Sequence, residues 1–246
     1  MRTTIAPVIF LLLCAFSTSS QSNDFELGIY ELNRGGFHTA IEQFRPLVAE
    51  GYAPAQYYMG IVYQKGYGVP KNPLKALALF QLAAEQNDSD AQFELSLLYS
   101  EGKSVKQNFK KAYSLMRKAA KKGLASAQYN VAVMVANGVG VKQDNFKASR
   151  WYQSAANLNY ALAQYNLALL YSDGLGVEKS TEMSLVWNTI ASWNGYPDAD
   201  KSRLIDERAL SKAKIITAIE KANNIYQQIL EQAKLKTQIT QKNSFY

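Results

Sequence analysis

The chain has 246 residues, of which 48% are apolar and 19% charged, with a formal net charge of +7 and a single cysteine. The apolar share suffices for one sizeable core or for an extended array. The cysteine, Cys14, lies in a segment expected to be removed, which excludes a disulfide framework, thiolate metal sites and cysteine catalysis together.

The first residues read as a secretory signal. Arg2 supplies a positive start, Ile5 to Phe16 an apolar run, and Ser17, Thr18, Ser19 and Ser20 the small polar residues after it. Ala15-Phe16-Ser17 satisfies the small-x-small rule, so residues 1–17 are expected to be cut away, with Ser20 as the later site. The run is too short to span a bilayer as a stable helix; an uncleaved interfacial anchor is the alternative. Leu11-Leu12-Leu13 precede Cys14 where lipidation wants a small residue, which argues against a lipoprotein. The expected location is periplasmic or secreted. Acidic residues prevail over 24–50, and basic ones around Lys103 to Lys122 and beyond residue 200. For an exported chain, no nucleic acid partner is expected, and anionic envelope material is the target that a basic patch would meet.

Residues 24–53 form an opening unit whose connector is three residues shorter than the later ones. From residue 54 a period of 36 holds without insertion. Alanine recurs at Ala55, Ala91, Ala127, Ala163 and Ala199, and again at Ala83, Ala119, Ala155 and Ala191; glycine recurs at Gly66, Gly102, Gly138 and Gly174, and valine at Val69, Val105, Val141 and Val177. Each unit reads as two helices. The first carries apolar residues at helical spacing and ends at the glycine column, where glycine readily takes the left-handed conformation. The second opens on Asn72, Asn108, Asp144 or Ser180 as N-cap, with Pro73 at a first helical position. It ends near Gly51, Asn87, Gly123, Asn159 and Gly195. The alanine pairs let neighbouring helices approach closely, while Tyr57, Phe93, Tyr129 and Tyr165 fill space between units. One helix pair cannot bury its apolar face alone, so the units must stack. The expected fold is all-α, a right-handed α/α superhelical solenoid of helix-pair repeats over 54–209. A long helix over 210–239 closes it, with Ile215, Ile219, Ala222, Tyr226, Ile229 and Ala233 on one stripe, followed by a tail over 240–246. A dimerising role for that helix is the alternative, which would make the chain a structural tether.

Groups with catalytic chemistry are few. His38 is the one histidine, and without a second histidine or a nucleophile elbow it reads as a surface residue. No carboxylate cluster has metal-ligand spacing. Ser211-Lys212-Ala213-Lys214 matches a Ser-x-x-Lys pattern without its Ser-Asp-Asn or Lys-Thr-Gly partners, so Ser211 is expected to cap the long helix. The connector Gly-x-Gly-Val follows a helix rather than a strand, which rules out dinucleotide binding. No catalytic residue, cofactor or metal is expected.

The combined pattern of Ala, Leu-Gly, Tyr, Gly-x-Gly-Val, Lys-Ala, Trp-Tyr and Ala-Ala resembles the Sel-one-like repeat family, relatives of the tetratricopeptide repeats. The match is best around Lys147-Ala148, Trp151-Tyr152 and Ala155-Ala156. Ser104 departs from it in place of the second connector glycine. Leu27-Gly28, Gly35, Phe37, Ala40 and Phe44 resemble a plain tetratricopeptide unit instead. The resemblance implies that the first helix of each unit lines a concave groove. There Tyr58, Glu94, Asn130 and Asn166, with Lys65, Glu101, Asn137 and Asp173, would flank an apolar centre of Val62, Leu98, Met134 and Leu170. A second surface is basic: Lys110, Lys111, Arg117, Lys118, Lys121 and Lys122 cluster on the second helix of one unit, where adhesion to phospholipid or lipopolysaccharide would be strongly salt-dependent. The function implied is a non-enzymatic adaptor or regulator that binds protein partners in the envelope or outside the cell. The alternative is a cell-wall or β-lactam hydrolase, an activity of cysteine-rich relatives whose cysteines this chain lacks.

Overall fold

A computed structural model describes residues 21–243, and all of its regular elements are helical. The predicted signal segment, Cys14 and the last three residues lie outside the described residues. The chain divides into two compact units, residues 1–107 and 108–246. The first holds α1 (21–34), α2 (Phe37–Ala49), α3 (Ala53–Lys65), α4 (Pro73–Glu85) and α5 (Ser89–Glu101). The second holds α6 (Phe109–Lys121), α7 (Ala125–Asn137), α8 (Asn145–Ala156), α9 (Ala161–Asp173), α10 (Thr181–Trp193), α11 (Pro197–Ala209) and α12 (Lys212–Asn243). Successive helices pack on one another from α2 to α5 in the first unit and from α6 to α11 in the second, where α12 packs on α10.

The punctuation predicted from the sequence is what shapes the helices. Asn72, Asn108, Asp144 and Ser180 each accept a hydrogen bond from the backbone N–H three residues on, at 2.9–3.1 Å, satisfying a donor that the first turn would leave orphaned. Asn87 and Asn159 take positive φ beside Gly51, Gly123 and Gly195, so that the second helices end where expected. The alanines at 55, 91, 127, 163 and 199 have no exposed surface, nor do those at 83, 119, 155 and 191. A glutamine column beside the first alanine is also buried. Gln92, Gln128 and Gln164 donate to the carbonyls of Ala84, Ala120 and Ala156 at 3.1–3.3 Å, tying each first helix to the end of the helix before it.

The second connector glycine has a distinct task. At Gly68, Gly140 and Gly176 φ is near +70°, and each lies against the residue 31 positions earlier, in the first turn of the preceding second helix. A Cβ on Gly140 would stand 2.1 Å from the carbonyl oxygen of Phe109, and one on Gly176 2.2 Å from that of Asn145. Ser104 occupies this column without a positive φ, so its connector follows another path.

The opening unit's connector is shorter by four residues rather than three. Gly28 rests on the Phe44 ring as Gly60 rests on that of Phe80, and 16 residues separate the first pair against 20 for the second. At the other end, α12 packs on α10 and buries Ala218, Ala222 and Ile229, with Ile215 and Tyr226 partly covered. Ile219 and Ala233, expected on that stripe, are exposed. Ala218, which the expected stripe left out, is buried instead. No glycine or proline interrupts 212–243, and the helix continues through residues expected to form the tail.

The last helix pair departs from the repeat chemically. Ser184 stands in the column of Ala76, Ala112 and Ala148, Asn188 in that of Phe80, Met116 and Tyr152, and Asp206 in that of Val62, Leu98, Met134 and Leu170. All three are buried. The Asp206 carboxylate accepts hydrogen bonds from Ser184 Oγ and Asn188 Nδ2, both at 2.8 Å. Burial pushes the Asp206 carboxyl above the usual carboxylate range, and the two hydrogen bonds only partly oppose it.

Two predictions follow from these contacts. Gly123→Ala, at φ +91° with open space around it, should cost about 1–2 kcal/mol, whereas Gly140→Ala must also displace the connector from α6 and cost clearly more; equal urea midpoints would contradict the contact. For Asp206, the protonated form is the better folded. Its stabilisation is complete below the unfolded value of about 4 and is lost as pH rises through the higher folded value. Asp206→Asn should therefore gain thermal stability over the parent protein progressively as pH rises above about 4, and a gap that stays constant with pH would exclude a titrating Asp206.

Candidate functional site

Among the described residues the candidate catalytic groups stand apart from one another. His38 is exposed, with Nδ1 3.5 Å from Glu42. Ser211 Oγ stands 3.5 Å from the Lys214 backbone N–H at the start of α12, and the Lys214 ammonium pairs with Glu182 on α10, holding that carboxyl below its usual range. The base that a Ser-x-x-Lys nucleophile needs is thus committed elsewhere. Among the described residues, no group of three or more histidines, cysteines or carboxylates is placed to hold a metal. No helix among them is long and apolar enough to cross a membrane.

The predicted groove columns divide by depth. In the first unit Val62 has no exposed surface and packs with Ile41 and Met59, so it belongs to the core and not to a groove. Tyr58 is half-buried among Phe25, Phe44 and Tyr57. Leu98 is half-buried, Glu94 accepts a 3.3 Å hydrogen bond from Gln64, and Lys65 and Glu101 are exposed at the ends of α3 and α5. In the second unit Met134 is buried and likewise belongs to the core, while Leu170 is half-buried. Asn130 and Asn166 are half-buried, and Asn137 and Asp173 exposed. The asparagine side chains turn back on their own helices: Asn130 donates to Ser126, Asn137 to Val133 and Asn166 to Leu162, at 2.7–2.9 Å. The apolar centre is therefore narrower than the spacing suggests, because a residue at i+4 from a half-exposed position on a tightly packed helix already faces its neighbour.

A set of rings stands beside these columns that sequence reading treated as filler. In the second unit Tyr129 and Tyr160 lie 5.3 Å apart, and Tyr165 and Tyr196 4.8 Å apart, centroid to centroid. The second pair repeats the first at the period of 36. All four are half-buried. Burial raises the Tyr129 and Tyr196 phenols above their usual range, and with it Tyr152, to about 12, against Tyr129. Tyr129 and Tyr165 adjoin Asn130 and Asn166 in sequence, so phenols and amides recur together at the period of 36. In the first unit the corresponding face is acidic. Burial raises Tyr57 and Tyr58, and the charges of Asp88 and Asp90 add to it; Glu94 raises Tyr57 further. The sequence signal for the tyrosine pairs is a tyrosine three residues before the alanine column at Tyr160 and Tyr196.

The basic residues are all exposed, on α6 and at its C-cap Lys122. The opposite face of α6 buries Ala112, Met116, Ala119 and Ala120.

The Sel1 repeat family model matches residues 53–88, 89–124, 125–160 and 161–191. Among solved structures, a protective antigen present in uropathogenic Escherichia coli strains, displaying an SLR fold, is 32% identical with a TM-score of 0.73. The match covers 86% of this chain and 45% of that one, so the chain spans less than half of its length. A Sel1 repeat protein from Oxalobacter formigenes is 27% identical, with a TM-score of 0.70 and 84% of each chain covered. A sel1 repeat protein from Klebsiella pneumoniae subsp. pneumoniae shares the fold at 17% identity, with a TM-score of 0.51 and coverage of 76% and 93%. No curated protein sequence matches the chain. Sel1 repeats generally serve as protein–protein interaction modules and are typically non-catalytic. With four consecutive repeats matched over more than half of its length, this chain belongs to the Sel1 repeat family.

Proposed function

We propose that this protein is a non-enzymatic adaptor or regulator that acts in the bacterial envelope or outside the cell and binds a protein partner through the first-helix face of its second unit. The repeated tyrosine pairs, Tyr129 with Tyr160 and Tyr165 with Tyr196, carry this reading. Tyrosine supplies large contact area at low entropic cost, and adjacent amides supply adaptable hydrogen bonds, a combination enriched in binding surfaces. The exposed rim of Asn137 and Asp173 is the polar border such a face needs. The signal pattern at residues 1–17 supports export, as does the similarity to a protective antigen.

Crosslinking followed by mass spectrometry, in the native compartment, should identify a partner whose recovery falls about tenfold in an Asn130→Lys, Asn166→Lys variant of unchanged circular dichroism, equivalent to about 1.4 kcal/mol of binding. Unchanged recovery would place the binding surface elsewhere. The purified protein should turn over neither nitrocefin nor peptidoglycan; turnover abolished by Ser211→Ala would replace the adaptor reading with a hydrolase.

A further inference from the structure

The outer face of α6 is unusual for its purity of charge as much as for its strength. Lys110, Arg117 and Lys121 form one row along the helix, with Ser114 between them, and Lys118 stands in the adjacent row; all are exposed. From Asn108 to Gln143 the chain has no aspartate or glutamate, so neither α6 nor α7 supplies a neutralising group to this face. Only Lys118 and Lys121 lie in the last turn, where the helix dipole favours a cation. The cations nearer the start of the helix gain nothing from it.

The same surface continues on α8. The connector between α7 and α8 lies on the first turn of α6 through Gly140 and Phe109, and carries the exposed Lys142. In the repeat register the row Lys110, Ser114, Arg117, Lys121 becomes Phe146, Arg150, Gln153, Asn157. That second row lines an open recess of about 940 Å³ whose lining also includes Leu167 and Tyr171, with one exposed carboxylate, Glu178, against the cations Lys147 and Arg150. Phe146 is 61% exposed at one end of it, and Phe109, at the start of α6, is 41% exposed. Arg150 stands beside Trp151 in the same recess. Cations in rows next to exposed aromatic rings are the pattern of a surface that rests at a lipid–water boundary, where rings enter the headgroup layer and cations meet its charge.

We propose that the outer face of α6 and α8 docks on a bilayer containing anionic phospholipid. Six of the seven cations from Lys110 to Lys142 are lysines, compact point charges without the forked geometry that single-phosphate recognition favours. Lysine is depleted at protein–protein interfaces, which disfavours a protein partner here. A phosphodiester backbone would leave Phe109 and Phe146 without a role. This docking is independent of the tyrosine face and requires no protein partner.

Co-sedimentation of the full chain with phosphatidylcholine vesicles, with and without phosphatidylglycerol, tests it. The difference between the two vesicle types is the readout, which cancels any binding by the apolar N-terminal run. The expected result is binding to phosphatidylglycerol vesicles that falls steeply with added salt. It should fall on the order of a hundredfold in a Lys110→Gln, Arg117→Gln, Lys121→Gln variant, stay intact in a Lys110→Arg, Lys121→Arg variant, and weaken in Phe146→Ser. Absence of preference for the anionic vesicles overturns the proposal, and so does equal binding by the glutamine variant. Tighter binding to a DNA duplex than to vesicles, lost in the glutamine variant but not in Phe146→Ser, overturns it in favour of nucleic acid.

Discussion

The close approach of a connector glycine to the first turn of the preceding second helix is the contact on which the repeat depends. At Gly140 and Gly176 no side chain atom fits between the two backbones, and the left-handed φ there is one that only glycine adopts without strain. Two requirements meet at one residue, steric and conformational. The contact sets where the next second helix begins, since the connector reaches its N-cap only four residues later, at Asp144 and Ser180. The buried alanines and the glutamine-to-carbonyl bonds then act on helices already placed. Ser104 shows the converse: with a Cβ and without positive φ it cannot make this contact, and the division into two compact units falls just after it.

A scaffold built this way leaves its surface chemistry free to vary. The glycines, alanines, caps and glutamines are backbone and core devices, and together they consume few of the outward positions. In the second unit the first helices accordingly present paired tyrosines with amides, while α6 presents cations without a single counter-charge in its own helix pair. The first unit puts carboxylates beside its tyrosines instead. The last helix pair carries variation into the core itself. Asp206, Ser184 and Asn188 replace an apolar triple, and Asp206 Oδ2 finds a donor in each of the other two, although the buried Asn188 Oδ1 is left without a partner.

Helix boundaries were legible from residue types alone because they are local. An N-cap bond spans three residues, and a left-handed terminus concerns one. Register was legible because glycine and alanine recur for steric reasons that a period of 36 exposes. Depth was less so. Val62 and Met134 read as the centre of a groove and lie in the core, while Ile219 and Ala233 read as buried and are exposed. Helical spacing assigns residues to a stripe, but the width of the covered stripe depends on how closely the neighbouring helix packs.

The helix pairs, their caps and the cationic row on α6 follow from side-chain chemistry within one or two turns, and the period from the recurrence of those same residues, so all four are written in the order of the residues. Helix packing, in contrast, selects which apolar positions are core, pairs Tyr160 and Tyr196 with Tyr129 and Tyr165, and brings Asp206 to Ser184 and Asn188. Those contacts join residues some 18 to 31 positions apart, and their geometry is set by the packing of whole helices, which no local rule contains.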